Sequence, residues 1–392
     1  MIEELRPDKK KTLPAPPRKI HTYATHFCGV GGACLGLERT GLKCVFAIDN
    51  KELAVEYREK NLGHKAVLGD ITTYQHPPEA AADVLWTSPP CQTFSISAYE
   101  QTLNKKKLGI KDKRDNLFLC SLEYVNEFQP KFFVLENVVG LLTHGADGVG
   151  NGTKENMIRA FANAGYDVEW NILNSADFGV PQLRERVFII GARKDLGLKG
   201  LIPNDGADAQ GYPTRPRLPY SAVMEHHVVS KAWSGKTYKT ALKAFQRTGR
   251  YITVLMPDEQ IPTITCGFGG GATRKKVGIC DCTKDKKLDF VRHPTVKEGS
   301  RCQGFPEDWQ WPKNESEAWT LIGNAVTATV ASMVGFHLIA LSNGETPPSK
   351  KTLPASRLAE YVRSYGKEAD EVPAIEYDLE DGKEEDPVIE GM

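Results

Sequence analysis

The stretch IHTYATHFCGVGGACLGLERTGLKCVFAID, residues 20–49, holds the pieces from which the fold is read. Ile20–Phe27 has the makeup of a strand, a glycine loop follows at Gly29-Val30-Gly31-Gly32, and Ala33–Thr40 is patterned as a helix. Cys44–Ile48 reads as a second strand and ends in Asp49. Strand, glycine turn, helix and strand open a doubly wound α/β sheet. The glycines let backbone approach a nucleotide-like ligand, and an acid closing the second strand suits ribose hydroxyls. Asp70, between Gly69 and Ile71, is a further acid placed near the next strand end. Together these predict an adenosine-containing cofactor, with NAD and S-adenosylmethionine both compatible.

Outward from that unit, Ala82–Trp86, Phe132–Leu135 and Val187–Gly191 are short apolar runs bounded by Pro, Ser or charged residues, as buried parallel strands are. After Arg193 the pattern changes. To about Arg292 the chain is irregular and rich in Gly, Pro, Lys, Arg and aromatics (GYPTRPRLPY, KAWSGKTYK, FQRTGRY, GFGGGATRKK), which predicts a second, smaller domain. Ala325–Leu341 returns to helical patterning and is expected to pack back on the first domain. Residues 1–18 (with KKKTLPAPPRK) read as a flexible leader, and residues 346–392 as a charged, finally acidic, tail.

Composition sets few limits. Of 392 residues, 50 are Lys or Arg and 50 Asp or Glu, so net charge neither favours nor opposes a nucleic-acid partner. The N-terminus has no apolar segment of the signal-peptide kind, and no apolar run approaches the roughly 20 residues of a membrane span. Nine cysteines with no disulfide-like spacing predict an intracellular, reducing location. Cys280-x-Cys282 lacks a second pair at zinc-finger spacing, so no metal is expected.

Ser88-Pro89-Pro90-Cys91-Gln92-Thr93-Phe94-Ser95 follows the Val84–Trp86 run, which puts Cys91 at the C-terminal end of a strand. That edge of an open α/β sheet is where chemistry is done. A loop this polar and this stiffened by proline is unlike core, although a buried inert cysteine is the ordinary alternative.

With Cys91 the chain resembles the DNA cytosine-5 methyltransferase family, and the resemblance continues in order over roughly residues 20–340. Phe27–Gly32 is similar to that family's cofactor loop, and Pro90-Cys91-Gln92 to its nucleophile loop. Glu136-Asn137-Val138 matches its Glu-Asn-Val motif, and Gln182-Leu183-Arg184-Glu185-Arg186 its Gln-x-Arg-x-Arg motif. Arg292–Pro306, with Glu298, Arg301 and Gln303-Gly304-Phe305-Pro306, resembles the segment after its recognition domain, and Gly323-Asn324-Ala325-Val326 its last motif. The resemblance implies a Rossmann-like class I methyltransferase domain, a doubly wound mixed sheet, with a smaller irregular target-recognition domain. The expected units are a catalytic and cofactor-binding domain at 19–192, target recognition at 193–291, and a return segment at 292–345.

The implied reaction moves a methyl group from S-adenosylmethionine to carbon 5 of a cytosine flipped out of duplex DNA. Cys91 thiolate adds to carbon 6 so that carbon 5 becomes nucleophilic. Glu136 stabilises charge on the ring at N3 and orients the exocyclic amine, Asn137 holds neighbouring backbone, and Arg186 bonds cytosine O2. Arg184 neutralises the loop or a phosphate, and Gln92 belongs to the same catalytic set. The base that removes the carbon 5 proton is not identified. Cofactor residues carried over are Phe27, Gly29, Gly31, Gly32, Asp49, Asp70, Ile71, Pro90, Leu117, Asn324 and Val326.

DNA contacts are expected at Ser95, Arg114, Gln182, Thr263, Thr265 and Arg274, with Lys105-Lys106-Lys107 and Lys111–Arg114 on a basic loop closing over DNA. A monomer is expected, functionally paired with a cognate restriction endonuclease. Thr25, Asn50, Asp115-Asn116 and Thr327 depart from the family pattern. Three other readings compete. A transfer-RNA cytosine-5 methyltransferase shares the motifs, a nicotinamide oxidoreductase explains only the loop and Asp49, and an inactive relative would lack Cys91, Glu136 or Arg186.

Overall fold

Short apolar strands alternating with helices must be covered on both faces, which gives layers of helix around a central sheet. The computed structural model describes residues 19–90, 117–142, 153–203, 217–225, 253–255, 258–266, 277–280 and 291–345. The first half is built from β1 (Thr22–His26), α1 (Gly32–Glu38), β2 (Lys43–Asp49), α2 (Glu52–Leu62), β3 (Val67–Leu68) and β4 (Val84–Thr87). The second half has α3 (Leu117–Phe128), β5 (Phe132–Val138), α4 (Thr153–Asn163), β6 (Tyr166–Asn174), β7 (Gln182–Leu183) and β8 (Glu185–Arg193). The main sheet has seven strands in the order β3-β2-β1-β4-β5-β8-β6. Only β8 runs against its neighbours, so the sheet is doubly wound and mixed, as expected.

Strand β1 lies between β2 and β4, where the chain reverses direction across the sheet. A crevice forms at the C-terminal ends of strands at such a switch point. It brings the glycine loop after β1, the Ser88-Pro89-Pro90 segment after β4 and the end of β5 to one edge. Alternation along β5 explains the two cores. Phe132 and Val134 face Trp86, Leu37, Val334 and Leu338, while Phe133 and Leu135 face Tyr124, Val125, Met157 and Phe161.

Strand β6 is absent from the apolar runs of the sequence. It is an edge strand, with Trp170 39% exposed beneath the Lys154 ammonium, 3.8 Å from the ring centroid. An edge strand needs one covered face only, so it carries no continuous apolar run.

The smaller sheet contains β9 (Thr253–Leu255), β11 (Val277–Cys280) and β12 (Val291–Arg292), and β10 (Ile261–Pro262) pairs with β7. The expected boundary at 291/292 therefore falls inside a strand. Three helices follow, α5 (Val296–Cys302), α6 (Glu315–Asn324) and α7 (Ala328–Asn343). The return helix starts three residues later than expected, because 325–327 break from α6. Glu315–Asn343 is apolar enough to cross a membrane by length and composition, yet 89% of that apolar window is buried in the fold. Helix α7 packs on α1 at close range. A Cβ at Gly36 would stand 2.5 Å from Ala328 O and from Ala331 Cβ, so only glycine fits there.

Candidate active site

The loop after β1 turns sharply, with Phe27 at φ 57°, Gly29 at 52° and Gly31 at 95°. The left-handed region is rare for a residue such as Phe, which marks this turn as held by its surroundings. The three glycines differ in purpose. A Cβ on Gly29 would meet nothing within 4 Å, whereas one on Gly31 would stand 3.1 Å from both Arg58 Cγ and Leu62 Cδ1. At Gly32 it would lie 2.1 Å from Val326 O. Gly29 thus faces the open crevice, while Gly31 and Gly32 are glycine because protein occupies the side-chain space.

Asp49 at the end of β2 is fixed by main-chain donors: Gly29 N–H reaches Oδ2 at 2.8 Å and Lys51 N–H reaches Oδ1 at 2.9 Å. Burial raises its pKa above the ordinary carboxylate value, and these amides act against that rise. Phe27, Ile71 and Leu117 join one apolar cluster, giving the crevice a greasy wall. Asp70 is exposed, and its Oδ1 accepts from Thr72 N–H at 2.9 Å and Thr72 Oγ1–H at 2.8 Å. Asn324 is exposed; Val326 is buried with its main chain against Gly32. An open glycine face, an anchored carboxylate and an apolar wall fit an adenosine cofactor.

Beneath the loop lies a feature that the sequence reading missed. His26 is fully buried, with Nε2 3.0 Å from His76 Nε2 and Nδ1 3.4 Å from Ser121 Oγ. Burial first, and His76 second, push its pKa down to about 3, so it is a neutral packing group. Ser121 continues to Thr87 Oγ1 at 2.7 Å. A histidine inside an apolar strand gives no signal of its partner fifty residues away.

Where the β4 segment leaves the sheet, Asn137 Nδ2–H donates to Pro89 O at 3.2 Å, and Asn137 Oδ1 accepts from Val138 N–H at 2.8 Å. The chain two residues before Cys91 is thereby tied to β5. Register puts Arg186 opposite Val138, so Glu136, two residues back on the same face, is in reach. Arg186 Nε lies 3.3 Å from Glu136 Oε1, and Arg186 Nη1–H donates to Glu185 O at 2.7 Å. Beside them is a cleft of about 540 Å³ lined by Val139, Asn174, Leu183, Glu185, Arg186, Arg217 and Thr263. Pro90 is exposed at the end of the same segment. Cys91, Gln92, Ser95, Arg114 and Arg274 lie outside the described residues, as do Lys105–Lys107 and Lys111.

Two expectations are corrected. Gln182 was expected to touch DNA, but it is fully buried: Nε2–H donates to Cys302 O at 2.8 Å and Oε1 accepts from Ile264 N–H at 3.0 Å. Arg184 was expected to neutralise the loop or a phosphate. Its guanidinium is instead buried against three main-chain carbonyls, Ile264 at 2.9 Å, Ala325 at 2.9 Å and Gly323 at 3.2 Å. The strand is interrupted at Arg184, between β7 and β8, so Gln182 and Arg184 turn inward while Leu183, Glu185 and Arg186 line the cleft. Gly323 belongs to the same crossing, since a Cβ there would stand 2.2 Å from Thr265 C. Thr263 Oγ1–H is bonded to Leu183 O at 2.7 Å at the cleft wall, and Thr265 is exposed.

The joint continues through buried polar groups. Thr327 Oγ1 lies 3.0 Å from Ser175 Oγ and donates to Gln303 Oε1 at 2.8 Å, while Gln303 Nε2–H donates to Ile322 O at 2.7 Å. The departure at Thr327 therefore supplies a hydrogen-bonding hydroxyl. Glu298 is fully buried and accepts from Arg292 at 2.6 and 2.8 Å, from Tyr220 Oη–H at 3.1 Å, and from Glu225 and Thr295 N–H at 2.8 Å each. Glu298 and Thr295 also form the capping box of α5.

Comparison with known proteins adds a family to this geometry. The family model for C-5 cytosine-specific DNA methylase matches residues 24–340. Type II methyltransferase M.Sau96I of Staphylococcus aureus is 30% identical over 344 residues, covering 80% of this chain and 74% of its own. Type II methyltransferase M.HpaII of Haemophilus parainfluenzae is 30% identical over 341 residues, covering 82% and 90%. Among solved structures, the Entamoeba histolytica methyltransferase EhMeth matches with a TM-score of 0.61 at 15% identity, covering 82% of this chain and 98% of that one.

Proposed function

The chain belongs to the C-5 cytosine-specific DNA methylase family, and from that premise we propose that it methylates carbon 5 of cytosine in a specific sequence of double-stranded DNA as a Type II enzyme. The observation that carries the reading is the bracket at the sheet edge. Asn137 holds the Pro89 carbonyl just before Cys91, and its neighbour Glu136 is paired with Arg186. A carboxyl and a guanidinium paired there, with Cys91 two residues after Pro89 in the sequence, suit a planar pyrimidine with a ring nitrogen, an exocyclic amine and a carbonyl oxygen.

In this reading Gly29, Asp49, Phe27, Ile71 and Asn324 hold S-adenosylmethionine, with Asp70 at its adenine amine. The cofactor supplies an electrophilic methyl group on a sulfonium sulfur. Cys91 attacks carbon 6 as thiolate, the form that reacts, and the electron pair moves toward carbon 5. Glu136 bonds N3 and the amine, stabilising the charge that builds on the ring, while Arg186 bonds O2. Once carbon 5 carries the methyl group, its proton passes to a base such as water, the bond between carbon 6 and sulfur breaks, Cys91 leaves as thiolate and the ring double bond is restored. A transfer-RNA substrate fits the same core, but the named relatives that match over most of their length are Type II methyltransferases, and DNA is the reading favoured. A cognate restriction endonuclease would be a functional partner.

The test uses tritiated S-adenosylmethionine with duplex DNA and with transfer RNA, followed by bisulfite sequencing of the DNA. Wild type should label cytosine in duplex DNA at one sequence, and Cys91→Ser should abolish the label. Label confined to RNA, or persisting in Cys91→Ser, overturns the proposal.

A further inference from the structure

The cleft that Arg186 lines carries a second cation among its described residues. Arg217 stands at the near end of the smaller domain and lines the cleft together with Arg186, Asn174 and Thr263. Its Nε–H and Nη2–H groups reach Asp177 Oδ1 at 2.9 Å and Oδ2 at 3.3 Å. The two sides of this pair differ. The Arg217 side chain is 31% exposed, whereas that of Asp177 is 12% exposed. Asp177 lies on the turn Ser175–Phe178, which is capped by Asn174 Oδ1 accepting from Ala176 N–H at 3.1 Å. Asn174 itself lines the cleft. Asp177 is thus the more buried partner of the pair, and Arg217, which lines the cleft, the more exposed.

Resting on the proposed methylation of duplex DNA, we infer that Arg217 is a phosphate-binding residue. It contacts the strand entering the cleft next to the nucleotide delivered to Arg186, and Asp177 orients it. An arginine presents five donors in a planar fork, so it can bond a carboxylate on one edge and a phosphate on another. Among the described residues, the cleft lining carries Arg186 and Arg217 against one acid, Glu185. Arg186 is engaged by Glu136 and the Glu185 carbonyl, and Arg217, held by Asp177 on one edge, is the more exposed of these two described cations, at 31% against 16%. The contact carries no base information and sets the position of the strand.

The experiment compares Arg217→Ala, Arg217→Lys and Asp177→Asn in the full chain. Methyl transfer to sheared genomic duplex DNA is followed across about 50–200 mM salt, with KM for S-adenosylmethionine measured alongside. Arg217→Ala should lower kcat/KM for DNA roughly tenfold and reduce the slope of log kcat/KM against log salt by about 1. Its KM for S-adenosylmethionine should be unchanged. Arg217→Lys should retain the slope, and Asp177→Asn should keep or improve DNA use because a negative charge is removed. An unchanged slope in Arg217→Ala overturns the inference. Equal losses in Arg217→Ala and Asp177→Asn also overturn it, since a purely structural pair fails from either side. Both results presuppose wild-type transfer to duplex DNA, so a wild type active only on RNA defeats the proposed function itself and is distinguishable from either.

Discussion

At the open edge of the sheet, Arg186 meets Glu136 through one nitrogen at 3.3 Å, with 16% and 10% of the two side chains exposed. At the joint between the sheets, Arg292 grips Glu298 through two nitrogens at 2.6 and 2.8 Å, both side chains wholly buried. Glu298 accepts three further hydrogen bonds there, while the Arg186 partner of Glu136 lines a cleft. The residue types are the same, and solvent access and completeness of bonding decide what they do. A carboxylate with every lone pair engaged has no capacity for a substrate. One held from a single side keeps an oxygen for one.

The contrast breaks if the two carboxylates respond alike. Glu136→Gln should lower kcat by about 10²- to 10⁴-fold, the range of a positioned acid or base. Denaturant unfolding should move by less than about 1 kcal/mol, because the amide keeps the shape and one acceptor. A full-rate Glu136→Gln would remove the edge pair from the chemistry. The converse change, Glu298→Ala, leaves a buried guanidinium without its counterion and should cost about 3–5 kcal/mol of stability. Thermal unfolding checks this, and a variant as stable as wild type would show that the joint tolerates an unpaired charge. The finest test is Thr327→Val, which removes one hydroxyl between Ser175 and Gln303 at nearly constant volume. It should cost about 1–3 kcal/mol through the stranded acceptor on Gln303, with kcat almost unchanged once folded. A kinetic defect larger than the stability defect would tie this hydroxyl to the site.

The frame of the fold was legible because its signals are local. The Ile20–Phe27 run, the glycine loop and Asp49 are contiguous, and strands β4, β5 and β8 are buried on both faces, so each shows as an apolar run. Glu136 and Arg186 were legible through their motifs, and register explains their meeting. Gln182, expected at DNA, and Arg184, expected at the loop or a phosphate, turn inward for a physical reason. Whether a polar side chain is buried depends on carbonyls supplied by residues 264, 302, 323 and 325, and nothing near position 184 announces them. Strand β6 escaped because an edge strand has no continuous apolar pattern, and Arg217 because one arginine in a basic segment is unremarkable until a cleft wall gathers it beside Arg186.

Gly32 and Gly36 press directly on the main chain at Val326 and Ala328, so the wall behind the cofactor loop comes from residues made roughly 300 positions later. A ribosome adds about 5–20 residues per second, so the loop would wait roughly 15–60 s for that wall. During that interval the nascent chain has the Gly29–Asp49 bond and the Arg58 and Leu62 packing under Gly31, but not the wall behind Gly32 and Gly36. The back of the cofactor loop is therefore completed only once Val326 and the start of α7 have been made.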